Sequence, residues 1–397
     1  MEFRFSAEQE RIREEIRTFL RENLPAEYEE SPVGTEWSGD PDEWAAALAF
    51  NKKLAERGWL TAHWPKEYGG LGLGIMEQVV LREEISYRRA PVLNANGLNM
   101  LGPVLMLYGS DEQKRQHLPG IAKAEVMWAQ GYSEPNAGSD LASLQTRAVR
   151  EGDEYVLNGS KIWTGHGATA DWIFVLARTD PQAPKHKGIS FFLLPIDSPG
   201  LKVVKLQSMT NYVHFCQEYF EDVRVPVQNR VGEENQGWYI GAALLDFERS
   251  GIGGAAGMRR TLEDLIAFIK ENAATGTPAT AQRREQIRSK IADRWIEIAV
   301  SRNLSYRIAS IQAAGRIPNY EASMGKVYAS ELGRRLAWTG FEVLGLYGHL
   351  RETDKYAKLR GRFGLATQTY LTSTIGGGTS EINRNVIATR GLGLPRG

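Results

Sequence analysis

The sequence predicts an α+β protein. It has a helical N-terminal domain over 1–125, a central antiparallel β-barrel or sandwich domain over 126–236, and a C-terminal helical-bundle domain over 237–397. Three observations predict this. Apolar residues recur at helical spacing toward both ends of the chain. Between about 126 and 236 the pattern changes to short apolar runs separated by turn residues. Those runs follow one another with no helix-like stretch between them, which argues against a βαβ sheet.

The elements follow in order. Ser6 and Gln9 form a capping-box pattern ahead of Ile12, Ile16 and Phe19, and Pro25 closes that helix. The Gly/Pro-rich stretch 65–74 breaks the region, and a helical pattern resumes over 79–87. Tyr155-Val156-Leu157 reads as a strand running into Asn158-Gly159, a two-residue hairpin turn. Further strands are expected at 172–177, 189–194, 201–206 and 219–225. Helix resumes from about 237. Ile287, Ile291, Trp295 and Ile298 suggest one buried stripe, 324–346 a long helix, and 272–282 a loop between long helices. No internal repeat is visible.

Composition narrows the function. A hydrophobic fraction of 42% and a charged fraction of 24% are globular values and exclude a disordered or collagen-like chain. Basic and acidic residues balance at 48 each, without the basic excess that phosphate-led nucleic-acid binding needs. Cys216 is the only cysteine, so neither an intrachain disulfide nor a thiolate metal site is expected. The first residues lack a signal-peptide order, and no apolar run reaches the ~18 residues of a membrane span. A cytoplasmic protein is expected.

Several motifs tempt and fail. Residues 251–256 fit GxGxxA, but helix rather than strand precedes them, so they read as small residues that let helices approach closely. Ser323-x-x-Lys326 fits SxxK without a companion motif. The six histidines show no HxxxH or HExxH spacing, and no metal is expected. There is no GxSxG elbow and no GxxxxGK[ST] loop.

Three segments keep unusual chemistry. The loop 131–140 offers backbone donors and hydroxyls that can nest an anion or the polar edge of a ring; it also reads as an ordinary linker. In 158–167, Trp163 stands at a strand end before a polar turn, where an indole can stack on a flat ring; alone it also reads as a core residue. Asp246-Phe247-Glu248-Arg249 lies on a helix beside the small-residue run; alone it also reads as a solvated salt-bridged pair.

Taken in order, these segments and others resemble the acyl-CoA dehydrogenase flavoprotein family, nearly end to end. Residues 65–72 are similar to its N-terminal loop, and 108–119 to its "yG-eEQK…LP" segment. Residues 133–140 match [ST]EPxAGSD, and Asn158-Gly159-x-Lys161-x-Trp163 matches NGxKxW. Gly378-Thr379-Ser380-Glu381-Ile382 with Arg384 resembles GTxxIxR.

The resemblance implies FAD and oxidation of an acyl-CoA thioester to its 2,3-enoyl form. A carboxylate removes the Cα proton while hydride passes from Cβ to flavin N5. Carried over residue by residue, it implies that Gln130, Tyr132, Ser133, Ser139, Trp163, Thr164, Gly165, Thr379 and Glu381 bind the cofactor. Ser139, Asp246 and Arg249 would meet the substrate. Members place the base at one of two positions. The one just before the C-terminal Gly-Thr is Gly377 here, which leaves Glu248 as the expected base, with Arg249 beside it.

Some positions depart from the family. Many members carry a hydroxyl two residues after the Trp, where this chain has Gly165, with Thr164 one place early. Residues 270–284 lack an RxxFG-like element, and 342–348 alter the family's QxxGGxG. The resemblance therefore implies a heteromer in which a sister chain supplies the missing arginine. Such members often take bulky, ring-bearing or dicarboxylic acyl-CoAs. The alternatives are a homo-oligomer using Arg283 or Arg284, a flavin oxidase or monooxygenase on the same fold, and a non-catalytic partner subunit. An electron-transfer flavoprotein is the expected acceptor. His166 either touches the flavin or substrate or is a turn residue.

Overall fold

The computed structural model describes residues 4–30, 39–248, 253–272 and 278–395, with side chains at 4–28, 39–242, 253–272 and 285–395. Helices fill both ends of the chain and one eight-stranded sheet lies between them in sequence, the order that periodicity predicts. Two compact units divide the chain, and neither is continuous. One draws on 1–35, 73–91 and 249–397, the other on 36–72 and 92–248. The helical stretch 1–125 thus feeds both.

In the first unit, helix Ala7–Asn23 begins with the expected box. Ser6 Oγ accepts from the Gln9 N–H at 3.2 Å, and Gln9 Oε1 accepts from the Ser6 N–H at 2.9 Å. The helix buries Ile12, Ile16, Phe19 and Leu20, and packs on helix Ile75–Tyr87. Between these two helices Arg13 and Arg17 both pair with Glu84, at 3.2 and 2.9 Å. Helix Gly254–Glu271 joins them. Gly253 starts it at φ +97°, and a Cβ there would lie 2.7 Å from the Arg82 carbonyl oxygen. Close helix approach is therefore the use this small-residue run is put to; Gly251 and Ile252 lie outside the described residues. On the same helix Asp264 accepts from Arg89, Arg260 and Arg362 at 2.7, 2.9 and 2.7 Å.

Met258, Leu262, Ile298, Leu332 and Leu336 form an apolar cluster between helices Gly254–Glu271, Pro278–Ala313 and Tyr320–Leu344. The stripe expected on the second of these is only partly buried. Ile298 is in the core and Ile287 and Ile291 are half-covered, but Trp295 is 45% exposed. It borders a cavity of about 490 Å³ whose lining mixes arginines with Ala255, Ala256 and Ala299, and the Arg259 guanidinium lies 5.8 Å from its ring centroid. The expected 272–282 loop is shorter than read, because Pro278 opens the next helix, a position where its missing N–H costs nothing. Among the described residues no helix is long and apolar enough to cross a membrane.

The second unit holds helix Pro41–Glu56 and the sheet. Its strands are β1 (Trp128–Gly131), β2 (Arg147–Glu151), β3 (Glu154–Gly165), β4 (Trp172–Arg178), β5 (Ile189–Pro195), β6 (Leu201–Leu206), β7 (Phe215–Pro226) and β8 (Arg230–Val231). They run in the order β6-β7-β3-β2-β4-β5-β8, with β1 beside β4. Most pairs are antiparallel. The exceptions are β1–β4 and the short β2–β4 contact, which are parallel, and the sheet is sandwich-like rather than closed. Its core holds Tyr155, Leu157, Ile173, Val175, Phe192, Leu194, Phe220, Val223 and Val225.

One turn is not where the sequence suggested. Asn158-Gly159 lies inside β3, and the β2–β3 hairpin turns at Gly152-Asp153 instead. Asn158 and Asp222 of β7 exchange hydrogen bonds at 2.9 and 3.1 Å across a register shift. Gly159 sits at φ +148°, where a Cβ would meet the Thr146 Cα at 2.7 Å. The residue chemistry that suits a tight turn also suits a bulge with close backbone approach.

Candidate active site

The 133–140 loop and β3 are joined through buried charge. Lys161 is fully buried, and its Nζ donates to Glu134 Oε1 at 2.8 Å and to the Tyr132 carbonyl at 3.1 Å. Glu134 also accepts from the Gln145 and Thr146 N–H groups at 2.6 and 2.9 Å. Burial opposes its charge, but Lys161 and these donors outweigh burial and hold the carboxyl below its ordinary value. Burial pulls the Lys161 ammonium down to about 8, with Glu134 resisting. The Ile162 N–H donates to the Ser133 carbonyl at 2.9 Å, so the two signature segments are sewn together by side chain and backbone. Within the loop, Glu134 and Ala137 exchange backbone bonds around Pro135-Asn136.

Just beyond Lys161 the strand bulges. The β3–β7 register shifts between Ile162 and Thr164, and the extra residue is Trp163, at φ +66°. A bulky residue with positive φ is uncommon and must be held by its surroundings. Pairing of Ile162 with Gln217 and of Thr164 with Cys216 provides that hold on both sides. The bulge turns the indole outward, 61% exposed, with the Phe215 ring edge-on at 6.2 Å. Trp163 is thus not a core residue.

Thr164 points the other way. It is 1% exposed, and its hydroxyl donates to Glu218 Oε2 at 2.5 Å. Any contact from Thr164 to a ligand therefore falls to its main chain. Glu218, on β7 opposite Lys161, is fully buried, and its Oε1 has no hydrogen-bond partner. Burial pushes its carboxyl up to about 7 despite Thr164 and Lys161. Gly165 and His166 end the segment. His166 is a turn residue at φ +59°, its ring 4.5 Å from the His214 ring, and the Nδ1 atoms of both are buried and unpaired. Burial drives His166 down to about 3 and lowers His214.

The remaining residues are distributed as follows. Gln130 is half-buried on β1 and Tyr132 is buried just after it; Ser133 is half-buried and Ser139 exposed. Helix Gly237–Glu248 packs in the same unit, where a Cβ on Gly241 would come within 3.0 Å of the Tyr132 hydroxyl. Asp246 and Glu248 lie on that helix, Glu248 as its last residue; their side chains lie outside those described. Arg249 lies outside the described residues altogether. Thr379 and Glu381 belong to the first unit. Thr379 caps helix Ser380–Val386 by accepting the Ile382 N–H at 3.1 Å, and Glu381 is exposed in its first turn. The preceding Gly377 has φ +66° and brings no carboxyl.

Together the second-unit residues present an open indole face and a bare backbone at Gly165, with His214 Nε2 bordering that position. That set suits a planar heteroaromatic ring with polar edges, as a flavin has. Sequence reading missed Glu134, Glu218 and His214. Glu218 carried a signal, since alternation along β7 puts it on the same face as buried Cys216 and Phe220.

Comparison with known proteins bears on the whole chain. The family models described as acyl-CoA dehydrogenase N-terminal, middle and C-terminal domain match residues 6–125, 129–223 and 235–392. The protein named acyl-CoA dehydrogenase FadE26 of Mycobacterium tuberculosis is 35% identical over 406 aligned residues, covering 100% of this chain and 99% of that one. Among solved structures, the Tcur3481-Tcur3483 steroid ACAD superposes with a TM-score of 0.90 at 36% identity, covering all of both chains. The ChsE4-ChsE5 complex from Mycobacterium tuberculosis gives 0.88 at 34% identity, also over all of both chains.

Proposed function

Since the chain belongs to the acyl-CoA dehydrogenase family, we propose that it is an FAD-dependent enzyme converting an acyl-CoA to the 2,3-enoyl-CoA. Family membership sets the reaction class. The observation that carries the reading to this chain's own residues is Trp163, a tryptophan held out on a bulge. The flavin, when bound, supplies the two-electron acceptor for the hydrogen leaving Cβ.

The protein's residues do the rest. Trp163 lies against the ring, the Thr164–Gly165 backbone follows its edge, and Gln130, Tyr132, Ser133 and Ser139 bind its polar atoms and pyrophosphate. Thr379 and Glu381 add contacts from the C-terminal domain. Asp246, Arg249 and Ser139 meet the acyl-CoA. Glu248 takes the Cα proton. That proton is weakly acidic, so the base works best with a raised pKa, which exclusion of water by the bound acyl group supplies.

The reading extends to assembly and substrate class. Two similar structures are named as pairs, Tcur3481-Tcur3483 and ChsE4-ChsE5, and the first is called a steroid ACAD. With the altered 270–284 and 342–348 segments, they support this chain as one half of such a pair. It would act on a bulky, ring-bearing acyl-CoA and pass electrons to an electron-transfer flavoprotein.

The test is an anaerobic titration of the purified protein, alone and with a sister chain, against a panel of acyl-CoAs. Bleaching of the flavin band by ring-bearing thioesters is expected. Glu248→Gln should keep the flavin and lose nearly all bleaching. If that variant retains most of the wild-type rate, the base is elsewhere; a protein colourless with excess FAD in every combination sinks the reading.

A further inference from the structure

Two residues beyond the exposed indole of Trp163, Gly165 leaves room beside His214 that a side chain would otherwise take. Gly165 pairs with Phe215 at the end of β3, and a Cβ built on it would lie 3.4 Å from His214 Nε2. The imidazole therefore borders the space that any side chain at position 165 would enter. It is held there by its neighbours: the His166 ring at 4.5 Å, the Phe215 ring at 4.7 Å, and the His166 N–H donating to the His214 carbonyl at 3.0 Å.

This ring is fixed but its hydrogen bonding is not filled. His214 Nδ1 is buried without a partner among the described residues. Nδ1 is closed off, so Nε2, which borders position 165, is the nitrogen a ligand can reach. Burial keeps the ring neutral, so it carries one N–H donor and one acceptor nitrogen. The Thr164 hydroxyl, on the residue before Gly165, is committed to Glu218. A metal does not explain the pair, because no cluster of three ligating side chains occurs among the described residues.

We propose that His214 is a cofactor-binding residue, an imidazole that hydrogen-bonds the flavin's polar ring edge through the opening left by Gly165. It rests on the flavin reading above, and adds a residue to it from the segment just before β7, which the signature motifs do not include. Trp163 takes the face of the ring, His214 its edge.

The experiment uses the whole chain, with its sister chain if FAD uptake requires one. FAD affinity is read by quenching of flavin fluorescence, and the midpoint potential by equilibration with redox dyes. His214→Phe keeps the ring shape and removes both nitrogens; it should weaken FAD binding about tenfold, the worth of one good hydrogen bond. If the lost bond favours one redox state by that factor, the two-electron midpoint moves by about 30 mV. His214→Gln returns an amide donor and should recover most of the affinity. Gly165→Ser on the His214→Phe background should recover part of it by placing a hydroxyl in the same opening. A His214→Phe protein with wild-type affinity and potential overturns the inference, and so does a folded His214→Gln protein that falls as far as His214→Phe. Failure of the flavin reading looks different: the wild-type protein itself takes up no FAD.

Discussion

Replacing Glu218 by glutamine should change how stability depends on pH. The carboxyl is fully buried beside Thr164, and burial raises it from 4.5 to about 7. Over that range the folded protein holds a proton that the unfolded chain has released, so stability falls as pH rises. The contribution is complete below about 4.5 and lost as pH climbs through about 7. At 1.36 kcal/mol per pH unit, the difference amounts to about 3 kcal/mol, most of it developing between pH 5 and 8. Buried histidines act in the opposite sense. Burial holds His117 near 4 and His166 near 3 and lowers His214, so each destabilises the fold as pH drops below about 6.5. Those contributions are common to both proteins and cancel in the difference. Lys161, pulled down to about 8, acts above the window. The assay is a set of thermal melts of wild type and Glu218→Gln from pH 5 to 8 at fixed ionic strength. For a unit of 150–250 residues 1 kcal/mol is about 2–4 °C. The Tm of the variant should therefore gain roughly 5–10 °C on the wild type across the series. A difference that is flat with pH, or that grows toward acid, refutes the burial argument.

Other substitutions probe neighbouring features. Glu134→Ala leaves Lys161 buried without its carboxylate and strands the Gln145 and Thr146 N–H groups, a loss of about 3–5 kcal/mol; a melt within 1 °C of wild type would contradict it. Trp163→Ala should change the stability of the FAD-free protein by no more than about 0.5 kcal/mol, because the indole is mostly exposed. The same change should weaken FAD binding about tenfold, the worth of one aromatic stack, as measured by fluorescence quenching. Asp264→Ala removes the acceptor shared by Arg89, Arg260 and Arg362 and should cost about 3–5 kcal/mol. Faster hydrogen exchange in helix Gly254–Glu271 would report it, and unchanged exchange would count against it.

What could be read in advance depended on how far apart the deciding residues are. The Ser6–Gln9 cap is settled within one helical turn, and β4, β5 and β6 follow from local apolar runs, so these were legible. Asn158-Gly159 was misread because the residue that makes it a bulge partner, Asp222, is 64 positions away. The exposure of Trp163 was equally hidden: nothing near position 163 announces that β7 pairs one residue short there. Ser133 and Lys161 were visible as motif letters, whereas the buried Lys161–Glu134 pair that joins them needed the folded chain. Trp295 shows the reverse error, where helical spacing promised burial and a cavity edge left the indole 45% exposed beside Arg259.

The discontinuity of the units has a consequence for synthesis. Helices Ala7–Asn23 and Ile75–Tyr87 leave the ribosome well before the helices that complete their unit, which begin at Gly254. At ~5–20 residues per second the wait between Tyr87 and Gly254 is on the order of ten seconds. Meanwhile the sheet-bearing unit can finish, since all its segments end by Glu248. These helices can cover each other early, but the faces that meet helix Gly254–Glu271 stay open until it is made. A stalled or truncated nascent chain would be marked for clearance by its own first helices.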